Sequence, residues 1–378
     1  MFQDGSNPVR QRPRERRRLP FTSRRRDAIV QQEKSPEATP WKAPLTNPHH
    51  APSRPKDAST FFLLVVLAAM LSSCSGRPIA EPNVVRTDLS EVDALDTEAP
   101  PPPGQITVAT YNVHRFFDTV CDSTCEPGDY EELPSAEDFD AKAELVALSI
   151  LKLDADVVLL QELETQAALD AVMARLPEKY HAVLGEMGSA ASVDVAVVAR
   201  AQILLSRRHR DQVLPLPDGG TTTFAREFLE VRLAWSQDAM ASREPDVIAF
   251  VAHFRSKVSD EPARRLAEAV AARDIVSSVA AEFPDVLVVV GGDLNDVPES
   301  PPLLALLEGG LLLRVAADVP EPYTYFYNGK GQAIDHLLLA KNQGGDYVPE
   351  STKVVRNTNQ HAFADSDHAA LKAAFQRP

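Results

Sequence analysis

The run DVLVVVGGDLND, residues 285–296, decides the fold class. Five apolar residues, four of them Val, stand between Asp285 and the pair Gly291–Gly292, which is strand length and too short for a helix. An apolar run on both faces belongs to a strand buried in a layered protein. Outward from it the same design recurs in ITVATY at 106, DVVLLQ at 156, VDVAVVA at 193, DVIAFVAH at 246 and IDHLLLA at 334. Amphipathic helical patterns with charged outer faces lie at about 136–152, 165–176 and 261–282. Strands alternating with helices give an α/β class. Asn112, Glu162, His253 and Asp293 each close such a run, and ligands of layered α/β proteins gather outside strand ends.

Length and charge bound the rest. The 378 residues carry 39 Lys+Arg against 54 Asp+Glu, 44% apolar residues and 3 Cys, which excludes a disordered chain, a collagen-like repeat and a disulfide scaffold. The formal charge of −15 averages two unlike parts. Residues 1–60 hold 13 Lys+Arg and 6 Asp+Glu, which leaves 26 and 48 for residues 61–378. The basic leader, with Arg16–Arg18 and Arg24–Arg26, has almost no apolar periodicity and reads as disordered. Phe61–Leu71 is an apolar run too short to span a bilayer. With Arg54 and Lys56 before it and Leu71-Ser-Ser-Cys74 at its end, residues 61–74 fit a secretory signal whose ending resembles the bacterial lipobox, lipidated at Cys74. A buried core helix is the bland alternative. Residues 75–104, Pro-rich and acidic, read as a stiff tether, and residues 105–378 as one folded domain. The expected location is therefore outside the cytoplasm, anchored to a bacterial membrane by lipid. Cys121 and Cys125 then lie in an oxidising compartment and form a local disulfide, a metal clip being the rival.

Four groups of residues carry chemistry. Glu162 closes DVVLLQE, where a carboxylate is costly unless paired, and a divalent cation is one such partner. Asn112 ends the first strand in the same manner, and oxygen ligands of this kind suit Mg²⁺. In GGDLND the glycines permit close backbone approach, and Asp293 and Asn295, two apart, face the same way if strand geometry persists. An Asx-turn explains that segment equally well. His253, followed by Arg255 and Lys257, and His368, preceded by Asp367, sit at strand ends with charged company, as does His336 behind Asp335. A His beside a carboxylate is tuned for proton transfer near neutrality, although a single His is more often a surface or core residue.

TYNVHRFFD, LLQELE, VAHFRSK, GGDLND, YTYFYNGKGQAIDHLLLAK and SDHAAL together resemble, in order and spacing, the endonuclease/exonuclease/phosphatase superfamily that includes the pancreatic deoxyribonucleases. Within it the HFRSK and YTYFYNG segments look most like those of secreted bacterial nucleases. The resemblance implies a four-layer α/β sandwich, two packed sheets between helices, and metal-dependent hydrolysis of phosphate esters. It implies that Asn112, Glu162 and Asp367 hold Mg²⁺, with Mn²⁺ as a substitute. Asp293 and Asn295 would orient water and phosphate, and Asp335 would contact the scissile phosphate. Asp367 would pair with a catalytic His, His368 would take the nucleophile's proton or hold a phosphoryl oxygen, and His253 would be its partner acid. Two departures stand out: Ala252 where related nucleases often show Asn, and Asp194 in place of a Gly-rich approach.

For the substrate, Arg226 and Tyr325 are candidate contacts to backbone phosphate and base, alongside the cluster Arg207, Arg208 and Arg210 and the alternating Tyr323, Tyr325 and Tyr327. A solvated loop and a half-buried strand explain these residues as well. An exported portion this acidic does not attract a polyanion at long range, so the metal and a few Arg must hold it. The expectation is a monomeric extracytoplasmic nuclease on DNA or RNA. The alternatives are a phosphatase or a phospholipid phosphodiesterase of inositol phosphate or sphingomyelinase type, and a silent binding lipoprotein, which the full set of competent residues argues against.

Overall fold

The computed structural model describes residues 104–126, 128–357 and 361–378. The basic leader, the apolar run with Cys74 and the Pro-rich tether fall outside them. The chain begins β1 (Gln105–Phe116), α1 (Ala136–Leu153), β2 (Val157–Leu163), α2 (Gln166–Met173), β3 (His181–Gly185), β4 (Asp194–Ala199) and β5 (Gln202–Arg208). A small hairpin, β6 (Leu214–Pro215) and β7 (Thr221–Thr222), leads to β8 (Leu229–Ala234), α3 (Gln237–Ser242), β9 (Val247–His253) and α4 (Pro262–Glu282). Then come β10 (Leu287–Asp293), α5 (Pro301–Leu307), β11 (Leu312–Arg314) and a second hairpin, β12 (Tyr325–Tyr327) and β13 (Lys330–Gln332). The last strands are β14 (Asp335–Ala340), β15 (Asp346–Tyr347), β16 (Lys353–Val355) and β17 (Ala370–Gln376).

Two mixed sheets result. One has the order β15-β17-β1-β2-β4-β3 with β16 also on β17, and the other β11-β14-β10-β9-β8-β5. All six apolar runs read from the sequence are strands in these sheets. Alternate residues of each central strand face inward: Val157, Leu159, Val289, Leu337 and Leu371 belong to one core between the sheets. Each such side chain, fully buried, stabilises by about 1.5–3 kcal/mol before entropy is counted. The outer faces are covered as well, the first sheet by α1 and α2 and the second by α4 and α5. Helix, sheet, sheet, helix is the four-layer α/β sandwich.

Local sequence places the helices. Ser135 caps α1 by accepting the Asp138 N–H at 3.1 Å, and Asp154 ends it in the left-handed region. Pro262 starts α4, where its missing N–H has no intrahelical partner to lose. The Cys121–Cys125 disulfide closes a small loop after β1. Among the described residues no helix is long and apolar enough to cross a membrane.

Candidate active site

One end of the sandwich collects the polar strand ends. β1 and β2 pair in register up to Asn112 and Gln161, and resume at Phe116 and Leu163. Three residues of β1 therefore bulge opposite the single Glu162. His114, Arg115 and Glu162 take positive φ of 57°, 46° and 70° there, conformations that cost side-chain-bearing residues energy and gather at functional sites. The bulge has a use. It turns the main chain inward, so that His114 N–H donates to Asn112 Oδ1 at 2.9 Å and Arg115 N–H to Glu162 Oε2 at 2.9 Å. Asn112 Nδ2 in turn donates to Glu162 Oε1 at 3.0 Å and across the sandwich to Asp293 Oδ2 at 3.2 Å.

The second sheet supplies the facing half. Its parallel strands β9 and β10 bring His253 opposite Asp293, and the antiparallel pair β10–β14 brings Asp293 opposite Asp335. Gly292, at φ +150°, makes this possible: a Cβ there would stand 1.9 Å from the Ala252 carbonyl oxygen. His253 Nε2 lies 3.8 Å from Glu162 Oε1 and 3.7 Å from Asp293 Oδ2. His368, just before β17, pairs its Nδ1 with Asp335 Oδ2 at 2.8 Å and turns Nε2 to within 3.8 Å of Asp293.

Electrostatics divides the two histidines. Burial, aided by the charges of Arg226 and His368, pushes His253 well below its ordinary pKa, so it is neutral. Burial also opposes charge on His368, but Asp335 outweighs it, with Asp293 and Asp367 adding, and the pKa rises to about 10. Burial and then the neighbouring Asp335 push Asp293 up to about 7, which suits a group that exchanges a proton near neutral pH.

The structure adds two details to the expected site. Asp335 makes the hydrogen bond that orients His368, Oδ2 to Nδ1 at 2.8 Å, and the half-exposed Asp367 faces the other ring nitrogen, Oδ1 3.9 Å from Nε2. The carboxylate that fixes the ring thus comes from β14, 33 residues away in sequence. Of the two readings of GGDLND, the Asx-turn is the one the chain adopts. Asn295 has φ +53° and its N–H closes an Asx-turn on Asp293 Oδ1 at 2.9 Å, while its Nδ2 donates to the Phe254 carbonyl at 3.1 Å. The turn and the site are one object.

Arg226 reaches the same Phe254 carbonyl at 3.3 Å. Tyr325 packs its ring 4.9 Å from that of His368 and stacks on Tyr327. By contrast, Arg207 and Arg208 lie on edge strand β5, two strands from β9, where Arg207 faces Glu230 at 3.5 Å and Arg208 holds the Glu186 main-chain oxygen at 2.9 Å. Asp194, the departure in VDVAVVA, is buried and accepts from Met187 N–H and Ser192 Oγ. His336 is a core residue beneath the site. Sequence reading missed Tyr130, which burial and the charge of Glu162 shift upward and over whose ring Arg115 lies at 4.7 Å. Its loop has no periodicity, so nothing in the sequence marked it.

Residues 109–368 match the sequence profile of the Endonuclease/Exonuclease/phosphatase family. The chain belongs to that family. The solved endonuclease/exonuclease/phosphatase protein from Bacteroides vulgatus is similar to it, with 15% identity over 72% of this chain and 99% of that one and a TM-score of 0.50. TDP2 from C. elegans has 16% identity, coverage of 72% and 75% and a TM-score of 0.49, and the human Nocturnin catalytic domain 14%, 73% and 95%, and 0.49. At such identities the likeness is one of fold. No curated protein matches the chain. Endonuclease/exonuclease/phosphatase proteins are divalent-metal-dependent hydrolases of phosphate esters. The residues here fit such an ion: Glu162, His253 and Asp293 offer ligand atoms within 4.8 Å of one another, as do Asp293, Asp335 and His368. Asp335 Oδ1 is buried without a hydrogen-bond partner, and Asn112 Nδ2 bridges two carboxylates from opposite sheets. That concentration of negative charge on oxygen donors is what a hard cation relieves.

Proposed function

We propose that the chain is a Mg²⁺-dependent phosphodiesterase that cleaves nucleic acid outside the cytoplasm, acting as a monomer tethered by a lipid on Cys74. The observation that carries the chemistry is the convergence of Asn112, Glu162, His253, Asp293, Asp335 and His368 from both sheets on one point. Phosphoryl transfer needs positioning and relief of spread negative charge more than covalent chemistry. A bound Mg²⁺, held by Glu162 and Asn112 with Asp367 at the rim, would supply charge neutralisation at the phosphoryl and leaving oxygens. Asn112 would turn its amide to present Oδ1. Asp293, with a pKa of about 7, holds the attacking water and accepts its proton. His368, kept as an imidazolium by Asp335, offers a charged N–H to a phosphoryl oxygen. The neutral His253 and Asn295 fix the water and the phosphate.

Nucleic acid is favoured over other diesters by the rim. Tyr325 and Tyr327 stack 6.4 Å apart at 16° beside His368, a shelf on which a base can lie. Arg115, Tyr130 and Arg226 stand on the Glu162 side. Aromatic stacking contributes about 1–3 kcal/mol per base and tolerates sequence. The test is a panel of plasmid DNA, single strands, RNA, a generic diester, inositol phosphates and sphingomyelin, with and without EDTA. Nucleic acids should be cut only with metal, and Glu162→Ala and His368→Ala should each lose at least about 10²-fold in turnover while staying folded. Wild-type turnover in either variant sinks the assignment of roles; preference for sphingomyelin or inositol phosphates overturns the substrate.

A further inference from the structure

Helix α4 turns an alanine-rich face to the second sheet, with Ala267, Ala269, Ala271 and Ala272 in the core there. One carboxylate interrupts that face. Glu268 is 0% exposed, and a buried carboxylate is retained only where hydrogen bonds or charges compensate it. Both of its oxygens are in use: Oε1 accepts the Ala225 N–H at 2.7 Å and Oε2 the Arg255 N–H at 2.8 Å. The two amides belong to different segments, one leading into β8 and the other leaving β9 after His253. Arg264, one turn earlier on α4, adds a third tie by donating from Nε to the Thr223 carbonyl at 3.2 Å.

The two segments meet again beyond the carboxylate. The peptide group that joins Phe254 to Arg255 gives its N–H to Glu268, and its carbonyl oxygen accepts Arg226 Nη1 at 3.3 Å and Asn295 Nδ2 at 3.1 Å. Glu268 therefore holds Arg226 twice, by the amide of the preceding residue and through the peptide on which its guanidinium rests. Asn295 has an anchor of its own in the Asx-turn on Asp293. Among the described residues no carboxylate pairs with Arg226, whereas the neighbouring Arg255 is bound to Glu261 at 2.7 Å. A half-buried guanidinium held on a carbonyl and left without a counter-ion is set to take an anion. Its charge acts on His253 on one side and on Tyr130 on the other, which places that anion at the centre.

We infer that Glu268 is a positioning residue for the substrate phosphate, fixing the guanidinium of Arg226 in the pose in which it meets a phosphate oxygen. The inference rests on the phosphodiesterase reading above and adds to it a group outside the centre. Glu268 itself touches no reacting atom. Its part is orientation: a guanidinium presents a planar fork, and a fork turned out of line loses its paired hydrogen bonds to phosphate. A merely structural part, closing two buried amides, would cost stability without regard to Arg226. The two parts are separable, because Gln at this position keeps the shape and one acceptor oxygen but turns an N–H toward the second amide.

The experiment measures kcat and KM of the full chain with Mg²⁺ on bis(p-nitrophenyl) phosphate and on a DNA oligonucleotide, for wild type, Glu268→Gln, Arg226→Ala and the double variant. Glu268→Gln should raise KM by about tenfold with a smaller change in kcat, and in the Arg226→Ala background the same substitution should change KM by less than about twofold. An equal rise in both backgrounds, or an unchanged KM in the first, overturns the inference. Should Glu268→Gln not fold, Glu268→Asp, which keeps the charge but is too short to reach both amides, takes its place with the same expected coupling. A wild type that cleaves the generic diester and not DNA rejects nucleic acid as the substrate, and the coupling on the diester then decides the inference. A wild type inactive on both rejects the phosphodiesterase reading and this inference with it.

Discussion

His336 should make the domain acid-sensitive by an amount that can be isolated from every other group. The ring is fully buried one residue from Asp335 on β14. Its Nε2 lies 2.9 Å from the Asp296 carbonyl oxygen, an acceptor, so Nε2 carries the hydrogen. Its Nδ1 lies 3.1 Å from Arg314 Nε, a donor, so Nδ1 keeps its lone pair. Both contacts fix the neutral ring, and a second proton would sit against a guanidinium. Burial, with Arg314 adding, lowers the pKa from 6.5 to about 4. A depressed folded pKa means that the unfolded chain binds the extra proton first. Stability is complete above pH 6.5 and falls as pH drops toward 4, by about 2.5 × 1.36, or roughly 3 kcal/mol. Gln can donate to Asp296 and accept from Arg314 without titrating. Urea unfolding of wild type and His336→Gln in EDTA, from pH 7.5 to 4, should therefore give stability curves that diverge by about 3 kcal/mol, the wild type losing more. Whatever the carboxylates and His253 contribute is common to both and cancels. Parallel curves would falsify the reading.

Two other outcomes follow from features already described. Gly292→Ala puts a Cβ 1.9 Å from the Ala252 oxygen at φ +150°, so it should cost at least about 3 kcal/mol, measured by chemical unfolding; a loss under about 1 kcal/mol would mean that the two strands separate freely. Labelled fatty acid should enter the protein in a bacterial host and be absent from Cys74→Ala, and its incorporation into that variant would reject the lipid anchor.

What was legible in the sequence follows burial. The central strands β1, β2, β4, β9, β10 and β14 are largely buried on both faces and show as predominantly apolar runs. β3 and β5 lie at sheet edges with mostly half-exposed residues, and their runs are weak. Polar residues ending a buried strand stand out against it, which is how Asn112, Glu162, His253 and Asp293 could be picked. Asn295, Asp335 and His368 were picked from their neighbours in sequence, and the family motifs added their roles. Pairings across the sheets were not legible. Asp335 and His368 are 33 residues apart, and sequence adjacency pointed to Asp367 instead. His336 looked like Asp335's companion, yet successive strand residues face opposite ways, one into the site and one beneath it. Arg207 and Arg208 read as a basic cluster, but charges on an edge strand are what keeps such an edge from pairing with another chain.

The centre is divided between the sheets: Asn112 and Glu162 come from one, His253, Asp293 and Asp335 from the other, and the Asn112–Asp293 bond spans the seam. The apolar contacts between the sheets thus act as a vernier for catalysis. Gly291 lies just where a Cβ would come within 2.6 Å of both Leu159 and Leu337, directly behind the reacting groups. A methyl group added there would push the halves apart by a fraction of an ångström, and turnover would register that shift before any loss of helix or strand. Neither sheet holds a working half of the chemistry, so selection for activity in this protein is also selection on how two layers are spaced.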